Sequence, residues 1–365
     1  MIFVAFAGLP LSLRRALKHV ALLNAELLRM RCYPLVFRPI FKDKVWGGRA
    51  LETLGKKLPP GNIGESWELV DLDSTSASGG GGSAEHSVIE NGALAGKPIR
   101  EAIRQWGPEL LGETNLSPAG AFPLLVKFLD AREHLSIQVH PSPDYAAANR
   151  DCHLKTECWY VLATSKVNGQ EPVIFKGLKP GVTRADLEAA VNNETVPDVM
   201  QSYPAIVGEC HNLPSGTIHA LGAGVVVAEV QTPSDTTFRV YDWAKEYGRK
   251  GRELHIGQTL ACTDFGAPPP VARLDADQNK ARLVTTDYFR LDEWRLRAGE
   301  TACLSGRPNR AHVVMMLRGA ASLNTGASQS LEIEAGRTIL IPASLTNSSS
   351  IVAAADSTLL VVDVT

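Results

Sequence analysis

The feature that most limits how this chain can fold is a succession of short β-type runs between residues 121 and 243. FPLLVKFL, LSIQVH, ECWYVLAT, PVIFKG, TIHALG, GVVVAEVQ and TTFRVYDW follow one another, separated by glycine, proline and asparagine. Many short strands with close turn punctuation predict a β-sandwich or barrel. The proline- and glycine-rich FGAPPPVARL at 265–274 marks a boundary. Beyond it RLVTTDYFRLDEWRL, ETACLSG, HVVMMLRG, ASLNT, RTILIPAS and STLLVVDV repeat the pattern and predict a second, smaller barrel. Two domains also suit a chain of 365 residues. The expected fold is therefore mainly β: two jelly-roll barrels, with a few helices inserted in the N-terminal part.

Two of those helices are written locally. GKPIREAIRQWGPELLG at 96–112 has Pro98 near its start, Gly112 at its end and apolar residues at helical spacing. TRADLEAAVNN at 183–193 is opened by Thr183, with acidic residues in its first turns. Residues 1–32 differ from the rest and are expected to be an extension. MIFVAFAGLPLSL is apolar, but Arg14, Arg15 and Lys18 follow the apolar run, where a signal peptide would place charges before it. The run is too short and proline-interrupted for a membrane span. Leucines at helical spacing predict a short amphipathic helix over 11–29, and a start at Met30 is the alternative. SASGGGGS at 76–83 reads as a surface loop, without the Lys-Ser/Thr ending of a phosphate loop. The domains expected are thus 1–32, 33–267 with the catalytic chemistry, and 268–365.

A net charge of −2 without a long basic run gives no reason to expect nucleic acid. An anionic ligand must then be caught by a local group of cations. Six cysteines without a Cys-x-x-Cys pair read as reduced, mostly packed thiols of a cytoplasmic protein, and speak against a zinc–thiolate cluster.

Alternation along the strands places chemistry. Gln138 and His140 share one strand face, as do Lys155, Glu157 and Trp159. His219 follows the turn PSGTIHALGAG at 214–224. Gln138, His140, Glu157 and His219 together form a mixed nitrogen and oxygen set suited to zinc or another borderline divalent ion. His134, His153, His211 and His255 lack such company and are expected to be solvated. AGRTILIPASL at 335–345 has the shape of the histidine-bearing turn without its histidine, so the second barrel is expected to be structural.

Three charges stand inside otherwise apolar strands: Lys127 in LLVKFL, Glu229 in VVVAEVQ and Arg239 in TTFRVYDW. A buried charge without a partner costs several kcal/mol, so each must meet an opposite charge, a metal or a substrate. A purely structural pair of Lys127 with Glu229 is the plain alternative.

KFLDAREHLSIQVHP, KTECWYVL, GTIHALGAGVVVAEVQTPSDTTFRVYDW and GRELHI resemble the type I mannose-6-phosphate isomerases, specifically the short bacterial class of zinc-dependent cupins. The resemblance runs from about Tyr33 to the C-terminus and is densest between 121 and 256. It implies cupin-like barrels and an aldose–ketose isomerase acting on mannose 6-phosphate and fructose 6-phosphate. It also implies one zinc per chain on Gln138, His140, Glu157 and His219, and Arg239 and Glu229 as active-site residues. Lys127 and Lys155 fall on the family's active-site lysines, and Ser136 on its substrate-contacting serine. The chemistry suits these residues: a metal polarises the sugar oxygens, a carboxylate or a metal-bound hydroxide serves as base, with Glu229 the preferred candidate, and Arg239 stabilises the enediolate or holds the phosphate. The expected partner is a small sugar phosphate, with neither membrane nor nucleic acid, in a monomer or homodimer. Two rivals remain: a non-heme iron oxygenase using His140, Glu157 and His219, and a non-catalytic sugar-binding cupin.

Overall fold

A computed structural model describes residues 31–73, 84–326 and 330–365. The helix expected at 11–29 and the glycine-rich loop at 76–83 lie outside these residues.

The expected fold class is found: a mainly β protein with a few short helices. In the N-terminal part a seven-stranded antiparallel sheet runs in the order Val271–Arg273, Glu209–Leu213, Glu157–Thr164, Val225–Gln231, Leu125–Ala131, Ile63–Leu69, Ile40–Gly48. A five-stranded sheet faces it, ordered Met200–Pro204, Val173–Leu178, His219–Leu221, Ile137–Val139, Phe238–Tyr241. Leu129, Trp159, Val161, Ile174, Leu221 and Val227 fill the space between the two. In the C-terminal part a six-stranded and a four-stranded sheet enclose a separate core that includes Trp294, Val314, Ile339 and Val361. Each β-unit is thus a pair of facing sheets rather than the closed barrel expected, a jelly-roll-like sandwich.

A third layer of contact explains why so many strands read as apolar throughout. Val126, Phe128, Cys158, Tyr160, Ala228 and Val230 point away from the N-terminal interior and pack on Phe289, Leu291, Val313, Met315, Leu360 and Val362 of the six-stranded sheet. The seven-stranded sheet therefore has both faces covered, and side chains of either parity are buried. The parts also exchange strands. Leu35–Val36 pairs with Thr338–Ile341 in the C-terminal sheet, and Val271–Arg273 pairs with Glu209–Leu213 in the N-terminal one.

The helix over 183–193 is present as Arg184–Asn192, with Thr183 and Asp186 forming a capping box. The single helix read over 96–112 is two: Ile99–Trp106 ends at Gly107, whose φ of 45° breaks the helical path, and Pro108–Leu111 starts anew. Apolar spacing continues across the break, so periodicity alone hid it. The described cysteines are all free, four of them buried. Among the described residues no helix is long and apolar enough to cross a membrane.

Candidate active site

The N-terminal interior is closed at one end by a buried trio and open at the other as a pocket. The trio is His140, Glu157 and His219, whose ligand atoms all lie within 4.8 Å of one another. Glu157 opens its strand, His219 opens a strand of the facing sheet, and His140 follows Ile137–Val139, so the two sheets bring them together. Glu157 Oε1 is 3.0 Å from His219 Nε2 and 3.5 Å from His140 Nε2.

The hydrogen bonds decide what this arrangement can hold. His140 Nδ1 lies 2.9 Å from the Thr236 carbonyl and His219 Nδ1 2.8 Å from the Thr217 carbonyl. A carbonyl can only accept, so both Nδ1 atoms carry the hydrogen and both Nε2 atoms present bare lone pairs. Burial, with Lys155 nearby, pushes His140 down to about 3, which keeps it neutral. Two lone pairs therefore face a carboxylate, and neither the two Nε2 atoms nor Glu157 Oε1 has a hydrogen-bond partner. Burial alone would raise the Glu157 carboxyl, but the Lys155 ammonium beside it outweighs burial and holds it well below the usual carboxylate range. Such a set of buried, unsatisfied donors of electron pairs fits a divalent cation.

Gln138 stands beside the trio as the direct strand partner of His219. Its Oε1 accepts from the Ser136 hydroxyl at 3.2 Å, which orients the amide. Lys155 precedes the strand rather than lying in it, yet its Nζ reaches Glu157 Oε2 at 2.8 Å.

The pocket continues outward over Ser136, Gln138, Lys155, Lys127, Glu229 and Arg239, so all six line one space. Lys127 is in the ion pair considered from sequence, 3.0 Å from Glu229, but that pair is part of the pocket wall. Burial disfavours the Lys127 charge, and Glu229 and Glu65 more than restore it, so its pKa lies above the usual lysine range. Trp159 donates its indole N–H to Glu229 Oε2 at 2.7 Å and packs edge-on against His219. Arg239 donates to the Glu253 carbonyl at 2.9 Å.

Further pocket residues escaped the reading of the sequence, among them Lys44, Trp46, Glu65, Trp67, Asp235 and Arg252. Glu65 is paired with Lys44 at 3.2 Å and takes the Trp67 N–H at 2.5 Å. Burial would raise its pKa, but Lys44 and Lys127 bring it down to about 2. The signal was present in GESWEL, where Glu65 and Trp67 share one face. His211 and His255 correct the expectation of solvated histidines: both are buried, and His211, on a strand inside the seven-stranded sheet, is pushed down by burial to about 3.

The fold and trio define the class as a cupin with a metal-type site. "Phosphomannose isomerase type I, catalytic domain" matches residues 35–166. Mannose-6-phosphate isomerase ManA of Bacillus subtilis is 32% identical over 273 residues, covering 73% of this chain and 81% of that protein. The mannose-6-phosphate isomerase of Streptococcus mutans is 32% identical over 274 residues, covering 72% and 79%. The crystal structure of a Bacillus subtilis mannose 6-phosphate isomerase superposes with a TM-score of 0.77 at 25% identity, covering 91% of this chain and all of that one. The chain belongs to the type I mannose-6-phosphate isomerases, metal-dependent aldose–ketose isomerases.

Proposed function

We propose that the chain interconverts mannose 6-phosphate and fructose 6-phosphate in this pocket, with one zinc per chain held by Gln138, His140, Glu157 and His219. The observation that carries the reading is the pair of bare Nε2 atoms facing Glu157 at the end of a cation-lined pocket. When bound, the metal supplies Lewis-acid stabilisation of the negative charge that develops on the sugar oxygens. Zinc suits the mixture of imidazole, carboxylate and amide donors.

The chain's own groups do the rest. Glu229, held by Trp159 and Lys127, takes the carbon-bound proton from one sugar carbon and returns it to the next. Lys127 and Lys155 place their side-chain nitrogens beside the developing enediolate, and Arg239 adds a guanidinium able to fork two hydrogen bonds to it or to the phosphate. Ser136 fixes the Gln138 amide and offers its oxygen to the substrate. Tight packing of Trp46, Leu129 and Trp159 keeps water from the reacting carbons. Residues 33–267 form the catalytic unit and 268–365 a supporting one, a division favoured by the span of these site residues, 127–239. A coupled assay forming fructose 6-phosphate from mannose 6-phosphate tests the reading. Turnover is expected; oxygen uptake with bound iron and no isomerisation would favour an oxygenase, and sugar binding alone a sensor.

A further inference from the structure

Three arginines converge on one carboxylate just behind the pocket wall. Asp242 follows the Phe238–Tyr241 strand and is buried. Its Oδ2 accepts from Arg249 Nη1 at 3.0 Å and from the Arg252 backbone N–H at 2.9 Å. Its Oδ1 accepts from Arg252 Nε at 2.7 Å and lies 3.8 Å from Arg239 Nε. Arg249 Nη2 also donates to the Asp242 carbonyl at 2.9 Å. Arg239 and Arg252 line the pocket; Asp242 and Arg249 are outside its lining.

The backbone is committed to this arrangement. Trp243, the next residue, has a φ of 54°, a left-handed conformation that a bulky side chain adopts only where its surroundings impose it. Its indole N–H donates to the Leu135 carbonyl at 2.8 Å, one residue from Ser136 on the pocket wall. Strain of this kind clusters where a site must be held in place.

The charges point the same way. Arg239, Arg249 and Arg252 thus share the Asp242 carboxylate, and Glu133 lies 3.7 Å from Arg249 alone. Burial, and Arg252 next to it, already push Arg239 down to about 10, while Asp242 counters them. Without the Asp242 charge the guanidiniums would repel one another and turn toward solvent.

We infer that Asp242 is a positioning residue of the isomerase: it sets the place and direction of the Arg239 and Arg252 guanidiniums without reaching the substrate itself. The inference rests on the reading of this pocket as the active site. Arginines aimed before the substrate arrives do not have to be ordered on binding, so the effect falls mainly on capture of the anionic sugar phosphate.

Asp242→Asn tests it, because the amide keeps the shape and one acceptor oxygen but removes the charge. In folded, metal-loaded protein kcat/KM for mannose 6-phosphate should fall about 10- to 100-fold, with KM rising more than kcat falls. In an Arg239→Ala background the same change should cost clearly less, since one of the groups it aims is gone. Kinetics like wild type, or a lower Tm with unchanged kinetics, would overturn the inference, as would strictly additive losses. If Asp242→Asn does not fold, Arg249→Lys, which loosens the same carboxylate from outside the pocket, is read by the same criteria. An impaired Arg239→Ala with an unimpaired Asp242→Asn removes this inference alone. An unimpaired Arg239→Ala removes the site reading beneath it.

Discussion

Replacing Lys127 by methionine takes away the ammonium that lies between two buried carboxylates. Its Nζ is 3.0 Å from Glu229 Oε1 and 3.7 Å from Glu65 Oε2. Glu65 keeps Lys44 at 3.2 Å and the Trp67 N–H, whereas Glu229 keeps the Trp159 N–H but has lost its cation. The charge left without compensation is therefore that of Glu229. Breaking a buried pair by removing one member costs about 3–5 kcal/mol, and that is the loss expected for Lys127→Met in denaturant unfolding. The double variant Lys127→Met/Glu229→Gln leaves no orphaned charge and should recover most of this stability, because neutral groups of similar volume replace a buried pair at little cost. Activity should behave differently. Both variants should lose at least about 10²–10³-fold in kcat/KM, since an electrostatic contact and the base are gone from a dry site. Unfolding curves beside a coupled isomerase assay read both quantities. If the double variant regains activity along with stability, Lys127 and Glu229 are a structural pair and the account of the pocket is wrong. If the single variant loses less than about 1 kcal/mol, the burial argument fails.

Arg239→Ala should lower kcat/KM by about 10²–10⁴ with metal content unchanged, and Arg239→Lys should also be impaired because an ammonium cannot reproduce the guanidinium fork; normal kinetics would make it a structural residue. Gly64→Ala should disturb the pocket from the wall behind it. A Cβ there would sit 2.6 Å from Trp46 Cζ3 and 2.7 Å from Lys44 Cβ, so both side chains must move. A fall of about 10- to 100-fold in kcat/KM is expected, and unchanged kinetics would show that this wall does not shape the site.

The metal-type trio was legible because strand alternation is a strong rule. Gln138 and His140 are two apart, Glu157 begins a strand, and His219 follows a glycine turn, so each could be picked out locally, although only the facing of the two sheets brings them together. Lys127 and Glu229 were legible because charge in an apolar run is conspicuous, although only the fold shows that they are partners. Glu65 and Trp67 were missed for the opposite reason. GESWEL carries charge on both faces: Glu65 turns into the pocket, and Glu68 on the other face pairs with Lys56 at 2.7 Å. A strand that is polar on both sides reads as exposed, yet both carboxylates are buried. Arg252 and Asp242 depend on a loop folding back over a strand, a contact that periodicity does not encode. The break at Gly107 and the exchange of strands between the two parts are set by tertiary packing in the same way.

The central claim is that the bare Nε2 atoms of His140 and His219, with Glu157 and Gln138, hold a metal the reaction requires. Metal content and isomerase activity measured on the same preparation, before and after chelation, test it most directly. The account predicts close to one zinc per chain, loss of activity as the metal is stripped, and recovery when zinc is returned. Full conversion of mannose 6-phosphate by protein shown to be metal-free would contradict it.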